Sequence, residues 1–203
     1  MKKAILLISF IALSSLAAGA AELDRIAAAA AGSEASFTQR FTPKGFSNAQ
    51  TESGSVIFGP LPVMRWSYAA PEEKIFVFDG KRSWFYVPSD KQVTVASIDD
   101  DKRAELPFLL IGDASARERL FNIKESASGS NIVTTLQPKS GSAQIRSVTV
   151  TSSASTHALQ RIEYSDRDGN RTTFDFSGFH KRSTTPALFT FTAPEGVQTV
   201  VAQ

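Results

Sequence analysis

Residues 63–96 hold four short segments rich in aromatic and β-branched residues, and two of the four are apolar on both faces. Side chains alternate across a strand. In residues 63–68, Met64, Trp66 and Tyr68 therefore share one face, while Val63, Arg65 and Ser67 share the other. Residues 74–78 set Phe76 and Phe78 against Ile75 and Val77. Residues 83–87 carry Trp84, Phe85 and Tyr86 in succession. With residues 92–96, and with Asp79-Gly80 and Pro88-Ser89-Asp90 as turns, these segments predict an antiparallel meander. A strand apolar on both faces needs cover on both. One cover is an ordinary core; the other is a ligand or a second layer of protein.

Further strands are predicted at 37–41 and 54–58, and again at 132–136, 145–151, 159–164, 171–176 and 189–192. Asp168-Gly169 marks a tight hairpin within 166–170, while 126–130 and 152–155 read as polar loops. Helical patterns are few. Residues 22–31 carry a thin apolar stripe of Leu23, Ile26 and Ala27, stopped by Gly32-Ser33. Residues 106–112 open with Pro107 and close with Gly112, which fits a short helix. Residues 116–121 predict another turn or two, with Leu120 and Phe121 inward. The expected fold is mainly β: an incomplete antiparallel barrel, or curled sheet, with short α-helices on its open side.

The aromatic set suits either a packed core or a ligand cavity. The shortage of helical cover favours the cavity. Leu106, Phe108, Leu109 and Leu110 make their segment almost wholly apolar. Such a helix belongs between two apolar layers or against something lipid-like. We therefore expect a lid over an apolar cavity lined by Met64, Trp66, Tyr68, Phe76, Phe78, Trp84 and Tyr86. The flexible thioether of Met64 suits variable partners.

Residues 1–20 have the layout of a signal peptide: Lys2-Lys3, a short apolar stretch, then Ala18-Gly19-Ala20 before the cut, with Ala21 as the alternative site. Residues 21–203 are then expected to form one secreted domain. The sequence contains no cysteine, so neither a lipid anchor on Cys nor a disulfide is expected. Removing Lys2 and Lys3 from the 22 basic residues leaves them equal in number to the 20 acidic ones. That balance argues against a nucleic-acid partner. Of the two histidines, His157 lies in a Ser/Thr-rich turn and His180 beside Lys181-Arg182, and both read as solvated. No nucleophile motif points to an enzyme. Asp166, Asp168 and Asn170 imitate a calcium loop, but Arg171 stands where glycine is required and no Glu closes it. No metal or cofactor is expected.

Several segments, in order, resemble the LolA family of outer-membrane lipoprotein carriers. They are residues 35–41, 54–58 leading to Arg65-Trp66, Asp79-Gly80-Lys81 followed by Trp84-Phe85-Tyr86 and Gln92-Val93-Thr94, the Pro-led 106–110, and 189–197. The resemblance spans nearly the whole mature chain. It implies an incomplete barrel with an apolar concave face under a helical lid, and a monomeric shuttle in the periplasm. An inner-membrane ABC transporter would load acylated lipoproteins onto it, and an outer-membrane receptor would unload them. Met64 and Trp66 match cavity-facing positions of the family. A relative carrying a free lipid or glycolipid would need the same apolar face. One position departs: the family has an Arg-Pro step after the second strand, its Arg bonding the lid backbone, whereas Gly59-Pro60 stand here. Arg65, opposite Trp66 by alternation, does not take that role.

Overall fold

Strand pairing joins the alternating segments into a twelve-stranded sheet that curls without closing. The computed structural model describes residues 21–99, 102–103, 105–141 and 144–202; the expected signal peptide lies outside the described residues. Helix α1 (Ala21–Ala30) precedes β1 (Ser33–Thr42), β2 (Gln50–Phe58), β3 (Met64–Ala70), β4 (Lys74–Phe78), β5 (Arg82–Val87) and β6 (Gln92–Ser97). A 3-10 segment, η1 (Pro107–Gly112), and helix α2 (Ala114–Leu120) lead into β7 (Phe121–Ser128), β8 (Asn131–Pro138), β9 (Ile145–Ser153), β10 (Leu159–Asp166) and β11 (Arg171–Lys181). A second 3-10 turn, η2 (Pro186–Phe189), and β12 (Gln198–Ala202) end the described chain.

The spatial order is β12-β6-β5-β4-β3-β2-β1-β11-β10-β9-β8-β7, so β12 and β7 are the edges. Every pairing is antiparallel except that of β12 with β6. Register shifts in the β1–β11, β2–β3 and β9–β10 ladders bend the strands and help the sheet to curl. Helix α1 stops where expected: Gly32 takes φ +67°, and Ser33 Oγ donates to Ala30 O at 2.5 Å. The β10–β11 hairpin also forms as read, with Asp166 accepting the Asn170 amide at 2.9 Å.

The main core fills the concave side. Leu23, Ile26 and Ala30 of α1, with Leu109, Leu110 and Ile111 of η1, pack onto an aromatic sheet surface. A second, smaller cluster lies on the opposite face of β4–β6. There Val77, Trp84 and Val93 are covered by Phe191, Ala193 and Val197.

Four expectations change. Residues 189–192 form no strand. Phe189 ends η2 and residues 190–192 join no ladder, while Pro186 and Pro194 on either side lack the N–H that pairing requires. The predicted loop at 126–130 begins inside β7, whose Ser-rich residues are mostly exposed because it is an edge strand. The predicted loop at 152–155 likewise overlaps the end of β9. Segment 107–112 is a 3-10 turn rather than an α-helix: the Leu109 and Asp113 amides bond the carbonyls three residues back.

Candidate functional site

Trp66 is the hub of the concave face. It is 2 % exposed, and its ring centroid lies 4.9 Å from Phe37, 5.3 Å from Phe174 and 5.9 Å from Phe176. Its indole N–H donates to Met64 Sδ at 3.0 Å, which satisfies a polar group that would otherwise be buried bare. Tyr68 packs edge-on against Phe37 and donates its hydroxyl to Gln39 Oε1 at 2.9 Å. Burial, then the Glu52 and Tyr164 charges, push that hydroxyl far above the ordinary tyrosine pKa. Cross-strand pairing sets Phe78 beside Met64 and Phe76 beside Trp66.

Five of the seven predicted lining residues therefore meet on one surface: Met64, Trp66, Tyr68, Phe76 and Phe78. Trp84 and Tyr86 do not. Trp84 pairs with Val77 and Tyr86 with Ile75, so both point to the opposite face, where Tyr86 meets Phe191 at 5.2 Å. Phe85 takes their place, paired with Phe76 and 40 % exposed at the rim of the concave face. The cause is register. The connection from 79 to 82 pairs Phe78 with Ser83, and a shift of one residue turns a strand over. Phe37, Phe58, Phe174 and Phe176 complete the surface from β1, β2 and β11. Their signal in the sequence was the spacing of two in Phe174-Asp175-Phe176.

Segment η1 lies on this surface. Phe108 reaches Trp66 at 5.4 Å and Phe76 at 5.6 Å, while Leu109 and Leu110 are buried and Leu106 is partly buried. The space between η1, α1 and the sheet, lined by Ile26, Phe58, Trp66, Phe108, Ile162 and Phe176 among others, does not admit a water molecule. At this point the concave face is filled by the protein's own apolar side chains. Gly112 lets η1 seat: a Cβ there would meet Leu61 Cβ at 2.5 Å. Gly59, which stands near the family's Arg-Pro step, leaves room for the Phe189 ring.

Among the described residues, Arg117 ties η1 and Arg103 ties the residue that follows it. Arg117 of α2 donates from Nη1 to Leu110 O at 3.0 Å and Ile111 O at 2.6 Å, and its Nη2 pairs with Asp24 of α1. Arg103 bonds Asp113, which follows η1, at 2.8 Å. Asp113 in turn accepts the Ala116 amide and caps α2. Sequence reading gave Arg117 no role, because a helical arginine ordinarily faces water.

His157 departs from expectation. It is one-third exposed, and its Nδ1 lies 3.1 Å from both carboxylate oxygens of the fully buried Glu22. Ser152 Oγ also donates to Glu22, at 2.5 Å. Serine and histidine both meet the carboxylate, with no bond between them among the described residues. The order is not that of an activated nucleophile, in which the histidine stands between the other two. The cluster ties α1 to β9.

No helix among the described residues is long and apolar enough to cross a membrane. The family model for the outer membrane lipoprotein carrier protein LolA matches residues 28–192. An outer-membrane lipoprotein carrier protein of Aliivibrio salmonicida is 31 % identical over 198 residues, covering 97 % of each chain. One from Klebsiella pneumoniae is 31 % identical over 166 residues, 80 % of this chain and 78 % of that one. Among solved structures, an uncharacterized conserved protein from Thermus thermophilus has a TM-score of 0.55 at 14 % identity, covering 89 % of this chain and 97 % of its own, a likeness of fold alone. By the family match and the near full-length identity, this chain belongs to the LolA family of outer-membrane lipoprotein carriers.

Proposed function

We propose that this chain is a periplasmic carrier that takes the acyl chains of lipoproteins onto its concave face and delivers them toward the outer membrane. One observation carries the reading: η1, an apolar plug, fills an aromatic surface that has no room for anything else. Leu109, Leu110 and Phe108 are apolar like hydrocarbon, so a lipid chain can replace them on the sheet and keep its aromatic face covered. The lining is Met64, Trp66, Tyr68, Phe76 and Phe78, with Phe85 at the rim.

Lipid chains need such a carrier. Exposure to water costs about 0.8 kcal/mol per CH₂, so several long chains cannot cross an aqueous space uncovered. Apolar contact tolerates chains of different length, and a stronger apolar site downstream would drive release without fuel. The expected partners are an inner-membrane ABC transporter and an outer-membrane receptor. Residues 1–20 would direct secretion and be removed, and the mature chain would act as a monomer by binding rather than by catalysis.

The test is to add the purified mature protein to energised spheroplasts of its own host and assay the supernatant. Release of acylated lipoprotein in a one-to-one complex is expected. Lipid without lipoprotein would make it a free-lipid carrier. Release of neither would remove the carrier reading. Trp66→Glu is a poor probe of binding, because a charge among Phe37, Phe174 and Phe176 would unfold the core before it reported on cargo.

A further inference from the structure

Among the described residues, Arg117 is the one buried cation, 1 % exposed. Two of its bonds go to η1 carbonyls, those of Leu110 and Ile111, and a third holds Asp24. Its Nε is buried without an acceptor among the described residues. The guanidinium is therefore under-supplied with acceptors even when η1 is in place. If η1 leaves and nothing replaces its carbonyls, a buried charge keeps Asp24 as its main partner, which is strongly unfavourable.

Arg117 has anchors apart from η1. Helix α2 runs directly into β7, and the Lys139 amide fastens Leu120 O at 2.9 Å at the end of β8. Its ion pair reaches α1, which the Glu22 cluster ties to β9. A ligand that took the place of the η1 backbone would therefore meet the guanidinium N–H groups that Leu110 O and Ile111 O now accept. Acyl chains arrive with ester carbonyl oxygens at the boundary between hydrocarbon and head. Those are the acceptors that the departing backbone takes away.

We propose that Arg117 is a ligand-binding residue whose guanidinium exchanges the carbonyls of Leu110 and Ile111 for the acyl ester carbonyls of the cargo. The proposal rests on the acyl-chain reading of the concave face. It gives the empty and loaded states the same number of satisfied donors, so the site recognises the ester linkage as well as the hydrocarbon.

The mature chain is titrated, following tryptophan fluorescence, with two probes below their micelle thresholds. One is a peptide bearing S-(2,3-dipalmitoyloxypropyl)cysteine; the other is its dihexadecyl ether counterpart, with matched chains but no carbonyls. The wild type is expected to bind the diester at least about tenfold more tightly, as charge-assisted hydrogen bonds require. Arg117→Met is expected to lose that preference, and Arg117→Lys to keep part of it. Equal binding of the two probes by the wild type, or an intact ester preference in Arg117→Met, overturns the proposal and leaves the acyl-chain reading standing. Binding of neither probe overturns both. Equal binding by the wild type overturns the proposal even if the variants do not fold.

Discussion

Two apolar covers lie on opposite faces of the same sheet, and they are fastened differently. On the convex side, Phe191, Ala193 and Val197 lie over Trp84, and the segment then enters β12, whose ladder with β6 runs from Gln198 to Ala202. On the concave side, η1 covers Trp66 and Phe76, yet no strand ladder holds it; its outward ties are the side chains of Arg117 and Arg103. A ladder is cooperative and opens only when the sheet frays. Side-chain bonds can be exchanged one at a time. The convex cover is thus tied into the sheet by its backbone, whereas the concave cover, on the function proposed above, is the one that comes off.

The largest expected effect is on the convex side. Trp84→Ala should cost about 3–5 kcal/mol in denaturant unfolding, as for a buried aromatic truncated to Ala. Lipopeptide binding per folded molecule should not change. A loss of affinity would mean that the convex face also takes part in binding. Phe108→Ala comes next, at about 2 kcal/mol, because its ring is only partly buried. It should also raise acrylamide quenching of the buried Trp66, since it removes the lid's one aromatic contact with it. Unchanged quenching would show that η1 is held by something other than this packing.

Gly112→Ala should cost about 1–2 kcal/mol by overpacking against Leu61 and raise the uptake of an apolar fluorescent dye. Stability lost with no gain in dye uptake would show that the clash is absorbed without lifting η1. The smallest effect is a control remote from both covers. Burial alone would raise the Glu34 carboxyl, but the hydrogen bond and charge of Arg182 outweigh it and hold its pKa below the usual value. The folded pKa is depressed, so this contribution is present above the ordinary carboxylate range and is lost as pH falls through the folded value. Glu34→Gln should cost less than about 1 kcal/mol at neutral pH, with the gap closing in acid, as two-point thermal melts would record. A constant gap across that range would assign the effect to packing.

Most of the sheet was legible because its signals are local. Alternation in 63–68 fixed the face of Met64, Trp66 and Tyr68, and Asp168-Gly169 announced its hairpin. Residues whose placement depends on distant partners were not. Trp84 and Tyr86 stand in a run of three aromatics, where alternation allows either face and only the Phe78–Ser83 register decides. Strand β12 pairs in parallel with β6, about a hundred residues earlier, so no turn foretells it. Phe189 and Phe191 have strand spacing but no ladder. Arg117 looks like any surface arginine until α1 and η1 close around it.

Hydrogen exchange of residues 21–203 with and without a diacylated lipopeptide tests the proposed detachment of the concave cover most directly. The amides of Leu109 and Asp113 bond to Leu106 O and Leu110 O in the closed state. On loading, exchange in 107–113 should accelerate while β12 and the Val197 amide, which bonds Pro194 O, keep their protection. Saturating lipopeptide that leaves 107–113 as protected as before, or that opens the convex segment instead, would contradict the account.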